Sequence, residues 1–150
     1  MPKIDIPKLH FSAWHKWVDR HSIEGVDQPG IYILAISSKN LVEVSSDYAD
    51  VCYIGMTVSK NGLRGRWQQL DRSLRGLGGH SGANSIIANL GEVSGWGRKK
   101  LYVAAFPVPV NSAEPTVDCL RTKGKVCFLE YEAFAQFFEH QRRKPVFNTR

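Results

Sequence analysis

Gly30-Ile31-Tyr32-Ile33-Leu34-Ala35-Ile36-Ser37 and, after a polar interval, Val51-Cys52-Tyr53-Ile54-Gly55 are the stretches that decide the fold. Both runs are β-branched and aromatic, which is the composition of paired strands. In the first, both alternating faces are apolar, so it is expected to be covered on both sides and central in its sheet. Each strand carries one tyrosine, Tyr32 and Tyr53. The polar interval Asn40–Asp50, with Ser45-Ser46-Asp47 as its turn, is read as an extended hairpin.

Working outward toward the C-terminus, Gly62 precedes a helix expected from Leu63 to about Gly76. Its residues Leu63, Trp67, Leu70, Leu74 and Leu77 recur at a spacing of three to four and form one stripe. At about 100° per residue, Arg66 falls at the margin of that stripe and can reach the sheet edge, whereas Arg64 points away. Arg64, Arg72 and Arg75 read as a solvated basic face available to phosphates. A short helix over Ser81–Leu90 follows. The turn Gly95–Lys100 then sets Trp96 beside Arg98, Lys99 and Lys100, either as a solvated hairpin loop or as a surface that stacks on bases and touches phosphates. A strand is expected over Leu101–Val108, then a surface linker from Pro107 to Pro115.

The last helix is expected over Lys125–Gln141. Val126, Ala133, Phe134 and Phe137 fall within about 60° of Glu130 on the wheel, so this carboxylate sits inside an apolar stripe. Burying it costs several kcal/mol, about the scale of breaking an ion pair, unless a cation or metal accompanies it. A buried salt bridge and a metal site are therefore the two readings of Glu130. Toward the N-terminus, Ser12 is expected to cap a helix reaching Arg20, with Phe11, Trp14, Trp17 and Val18 inward.

Gly30-Ile31-Tyr32 followed by Tyr53-Ile54-Gly55, a helical Arg66, Glu130 on a later helix and the ending Pro145-Val146-Phe147-Asn148 resemble the GIY-YIG nuclease family. The resemblance runs in order from Gly30 to Asn148. It implies a small α/β domain, a three-stranded antiparallel sheet flanked by helices, with residues 30–150 as the nuclease core and 1–29 as an N-terminal extension and helix packing on it. It also implies Mg²⁺-dependent endonucleolytic hydrolysis of DNA, of restriction or mobile-element type, with Mn²⁺ able to substitute. By resemblance the catalytic set is Tyr32, Tyr53, Arg66, Glu130 and Asn148, with Glu130 holding the metal. Tyr32 would activate or orient water, and Asn148 would brace the site. The chain departs from the family where a lysine usually follows the second motif and a histidine usually lies one turn beyond the arginine, since Met56 and Leu70 stand there. Lys60 and His80 are the nearest substitutes. The candidate DNA-contacting residues are Arg64, Arg72, Arg75, Trp96, Arg98, Lys99 and Lys100.

Composition bounds these readings. One hundred and fifty residues suit one domain. A net charge of +6 favours polyanionic partners. No apolar run approaches the roughly 20 residues that span a bilayer, so no membrane partner and a cytoplasmic location are expected. Cys52, Cys119 and Cys127 are odd in number and lack CxxC spacing, which disfavours a disulfide framework or zinc site. Two alternatives stand beside the nuclease: a catalytically inactive nucleic-acid-binding relative, and a protein-interaction domain with a basic surface and Trp14 and Trp17 facing a partner. Monomer and homodimer are both open.

Overall fold

The structure, a computed structural model, describes residues 9–42, 44–91, 96, 99–110 and 116–148. Four antiparallel strands form one sheet: β1 (His15–Lys16), β2 (Gly30–Ser37), β3 (Val51–Thr57) and β4 (Lys100–Pro107), in the order β1-β4-β2-β3. Among the described residues three α-helices accompany them: α1 (Gly62–Leu74), α2 (Ser81–Leu90) and α3 (Val117–Gln141). The α/β class and the central, doubly covered β2 follow the sequence pattern, while β1 is a fourth strand that the expected three-stranded sheet lacks.

Alternation along β2 separates two cores. Tyr32 and Leu34 point with Val103 and Ala105 toward α1, α2 and the buried Trp67, Leu70 and Ile86. Ile31, Ile33 and Ala35 point the other way, with Ile54 and Ala104, onto Val126, Leu129, Ala133 and Phe137 of α3. Burial of side chains on both faces supplies most of the drive for this layered arrangement.

The N-terminal segment does not form the helix that its apolar spacing predicts. Ser12 caps no helix; its amide donates to the Ala105 carbonyl at 2.8 Å and its hydroxyl oxygen accepts from the Ala105 amide at 3.0 Å. The segment thus begins as an addition to the free edge of β4, continues as β1, and turns into a 3₁₀ helix at Trp17–Ser22. Trp14 and Trp17 are buried in opposite cores, whereas Val18 is exposed. This removes the partner surface suggested for the two tryptophans. Backbone pairing to an unsatisfied strand edge outweighs an amphipathic pattern only two turns long.

The hairpin also differs. The ladder between β2 and β3 ends at Ala35 and Val51 with an irregularity between Leu34 and Ala35. The described part of 38–50 is a loop, not extended strand. It is pinned by buried Leu41, by the Val44 carbonyl accepting from the Trp14 amide at 3.1 Å, and by Tyr48 donating to Gln136 Oε1 at 3.1 Å. A short 3₁₀ turn, Tyr48–Asp50, is capped by Asp47, whose Oδ1 accepts from the Ala49 amide at 3.0 Å.

α3 starts two turns earlier than its apolar stripe suggests, at a cap where Thr116 Oγ1 accepts from the Cys119 amide at 3.1 Å. No helix is long and apolar enough to cross a membrane among the described residues.

Candidate active site

β2 and β3 set the two tyrosines side by side. Tyr32 is opposite Gly55 in the ladder, and the Tyr32 and Tyr53 rings lie 6.2 Å apart between centroids. Trp67 of α1 closes on Tyr32 edge-to-face at 5.9 Å. The loop after α1 then brings His80 against both tyrosines. Its Nε2 is 2.9 Å from Tyr32 Oη, and its ring lies 5.7 Å from that of Tyr53.

Two glycines make this cluster possible. A Cβ at Gly55 would lie 2.4 Å from Tyr32 Cζ, and one at Gly82 would lie 2.4 Å from the Tyr53 ring. Ordinary contacts need well over 3 Å. The glycine that ends the second motif is therefore where the Tyr32 ring crosses the edge strand.

The tautomer of His80 follows from its partners. The Ala83 amide donates to Nδ1 at 3.2 Å, so Nδ1 bears no proton. Burial and the charge of Arg66 push the imidazole pKa down to about 4, so the ring is neutral at pH 7. A neutral ring carries one N–H, which must then be on Nε2, and Nε2–H donates to Tyr32 Oη. Tyr32 is left with its own hydroxyl hydrogen for another acceptor.

The Tyr32 phenol titrates well above its usual range. Burial is the main cause and the neighbouring Tyr53 adds to it, while Arg66 pulls downward by charge and hydrogen bonding and Glu130 pushes upward. Burial outweighs Arg66, so Tyr32 is a phenol and a hydrogen-bond donor at neutral pH, not a phenolate base.

Arg66 is half-buried and donates from Nη1 to Gln69 Oε1 at 2.8 Å. It lines an open cleft of about 480 Å³ together with Met56, Thr57, Ser59, Asn61, Gln69 and, from α3, Lys123. Lys123 and Gln69 escaped the sequence reading. Lys123 lies ahead of the expected start of α3, and the signal for Gln69 was its i+3 relation to Arg66. Met56 stands in the cleft where the family lysine would be, and Lys123 brings a cation to the same space.

Glu130 is buried on the inner side of α3 at 2% exposure, close enough for its charge to act on Tyr32. Asn148 clamps the edge strand: its Nδ2 donates to the Ile54 carbonyl and its Oδ1 accepts from the Ile54 amide, both at 2.9 Å. The Phe147 amide adds a bond to the Cys52 carbonyl at 2.9 Å. The C-terminal segment thus satisfies the edge of β3 beside Tyr53.

The remaining candidates do not gather here. Lys60, Arg64 and Arg72 line an adjoining hollow of about 610 Å³ that shares Asn61, Gly65 and Gln69 with the Arg66 cleft. Arg64 is paired with Asp27 at 2.7 Å, an exposed pair of small energetic weight, and Arg75 with the half-buried Asp71 at 3.3 Å. Trp96 is not a stacking surface. It is 7% exposed in the core beside α2, and its Nε1 donates to the Gly91 carbonyl at 3.0 Å. Lys99 and Lys100 are exposed at the start of β4, about 17 Å along the strand from Ala105, the partner of Tyr32. Arg98 lies outside the described residues.

No group of three or more His, Cys, Asp or Glu side chains that could hold a metal occurs among the described residues. Glu130 contributes one carboxylate, an oxygen donor of the kind Mg²⁺ or Mn²⁺ takes rather than the nitrogen and sulfur set of structural zinc, but at 2% exposure it does not line the Arg66 cleft. Comparison with family models, with curated proteins and with solved structures returns no match.

Proposed function

We propose that this chain is a GIY-YIG-like endonuclease that hydrolyses DNA phosphodiester bonds. The observation that carries the reading is the 2.9 Å contact between Tyr32 and His80, next to Tyr53 and within the electrostatic reach of both Arg66 and Glu130. Residues far apart in sequence converge on one hydroxyl beside a cleft lined by Arg66 and Lys123.

Hydrolysis requires water in line with the scissile bond and stabilisation of charge on the phosphoryl oxygens. Arg66, with its rigid donor fork, suits a non-bridging oxygen. Lys123 supplies a second positive charge to the same cleft. His80 fixes the Tyr32 oxygen through Nε2–H, and Tyr32 offers its hydroxyl hydrogen to the water or to a phosphate oxygen. Tyr53 positions Tyr32 and His80 by ring contact, and Asn148 holds the strand that carries Tyr53. Glu130 would hold Mg²⁺, which when bound supplies the Lewis acid that polarises the phosphate. The adjoining hollow with Lys60, Arg64 and Arg72 suits the flanking phosphodiester backbone.

One observation favours a second reading. Tyr32 and Glu130 are almost fully enclosed, which suits a relative that binds nucleic acid through its cations without cutting it. Incubation of supercoiled plasmid with Mg²⁺ or Mn²⁺, with and without chelator, separates the two. The nuclease reading expects metal-dependent nicking or cutting, reduced about 10²–10³-fold in Arg66→Ala and lost in Glu130→Gln. Salt-sensitive binding without cleavage would establish the binder, and absence of both would leave the basic protein-interaction domain.

A further inference from the structure

α3 is apolar on two sides. Its inner side, with Val126, Leu129, Ala133 and Phe137, is buried against the sheet. Its outer side carries Val117, Leu120, Phe128, Tyr131 and Phe138, each between 38% and 67% exposed. At about 100° per residue these five fall within about 80° of one another, in a stripe that contains no charged residue. The stripe runs on the order of 32 Å along the helix. A long contiguous apolar surface of this kind marks an interface.

We propose that this stripe is the homodimer interface of the protein, closed by α3 of a second copy running antiparallel across a twofold axis between Cys127 and Phe128. The arrangement of residue sizes points to that register. Positions equidistant from this midpoint pair Val117 with Phe138, Leu120 with Ala135, and Gly124 with Tyr131. Two of the three thus set a small residue against a large one. A Cβ at Gly124 would meet nothing within 4 Å in the protein itself, so the space in front of it is open to the Tyr131 ring of the other copy.

Charge selects the antiparallel direction. One flank of the stripe carries Arg121 and Lys125 toward the N-terminus, with Asp118 at its outer margin, and Glu132 and Glu139 toward the C-terminus, Glu132 also accepting from Gln136 Nε2 at 3.0 Å. In an antiparallel pair related by a twofold, each flank meets itself reversed. Arg121 and Lys125 then lie within two positions of Glu132 in the other copy, whereas in a parallel pair this flank would meet the opposite one, where Lys123 stands level with Arg121 and Lys125. Lys123 lies on the other flank, so the two Arg66 clefts that it borders open on the same side of the pair. On the nuclease reading this would present two sites to one duplex, but the pairing itself does not depend on that reading.

Sedimentation or light scattering of the full chain at about 20 µM tests the proposal, with circular dichroism melting to confirm folding. The wild type is expected at twice the 16.9 kDa chain mass with a melting temperature that rises with protein concentration, and Tyr131→Glu at the chain mass with a cooperative melt that no longer depends on concentration. Arg121→Glu and Glu132→Arg should each weaken association at least tenfold and recover a mixed dimer when combined. In a Cys127→Ser background, a short bismaleimide should join Leu120→Cys to Ala135→Cys in a mixture. It should not join Leu120→Cys to itself, since those positions lie about 22 Å apart along the axis. A monomeric wild type, a dimer that survives Tyr131→Glu, or self-linking at position 120 would each overturn the proposal.

Discussion

Gly55 faces Tyr32 across the β2–β3 ladder, and a Cβ at Gly55 would lie 2.4 Å from Cζ and 2.5 Å from Oη of that tyrosine. The edge strand thus leaves room for one ring to cross it, and the glycine ending the second motif has a steric role that its spacing alone does not reveal. Gly55→Ala should cost about 1–3 kcal/mol through overpacking and move the Tyr32 hydroxyl off His80. Thermal melts and the chemical shift of His80 Nε2 report the two effects. In a Tyr32→Ala background the cost of Gly55→Ala should largely vanish, and additive losses would contradict the contact.

His80 links stability to pH. Its folded pKa of about 4 lies below the ordinary histidine value of 6.5, so between these limits the unfolded chain holds more protons than the folded one. Stability from this group is fully present above about pH 6.5 and declines as the pH falls toward 4, by on the order of 3 kcal/mol at most. Urea titrations from pH 4 to 7 should show that slope in the wild type and a flatter one in His80→Gln. Equal slopes would place His80 in a solvated setting.

Asn148 holds β3 by two hydrogen bonds to Ile54. Asn148→Ala removes both and should cost roughly 1–3 kcal/mol. The Ile54 amide should then exchange with solvent much faster, while amides in the centre of β2 keep their protection. Unchanged exchange at Ile54 would show that the clamp does not form in solution.

The three thiols should react in an order set by burial. Enclosure pushes Cys52 up to about 12, whereas Cys127 is exposed on α3. Reactivity follows the thiolate fraction and access. Maleimide at pH 8, applied to dilute protein, is expected to label the exposed Cys127 first and the half-buried Cys119 and Cys52 later, Cys52 last because its thiolate fraction is smallest. Labelling of Cys52 ahead of Cys127 would contradict the raised thiol pKa.

The sequence by itself determined the central strand, the positions of both tyrosines, the helix carrying Arg66 and the burial of Glu130. Each is written in a local period of two or about 3.6 residues, which fixes a face irrespective of the partner. Only the tertiary structure decided how Ser12–Lys16 adds to the sheet, because the edge of β4 is created by strands distant in sequence. It also decided that Trp96 fills a core, and that Lys123 joins the Arg66 cleft. The early start of α3 was hidden because the helix is apolar on two faces, which blurs the period that marks a helix. The protonation of Tyr32 and His80 was likewise beyond local pattern. A titrating group responds to enclosure and to charges brought near it by folding, and those are set by the packing of β2, β3, α1 and the loop before α2.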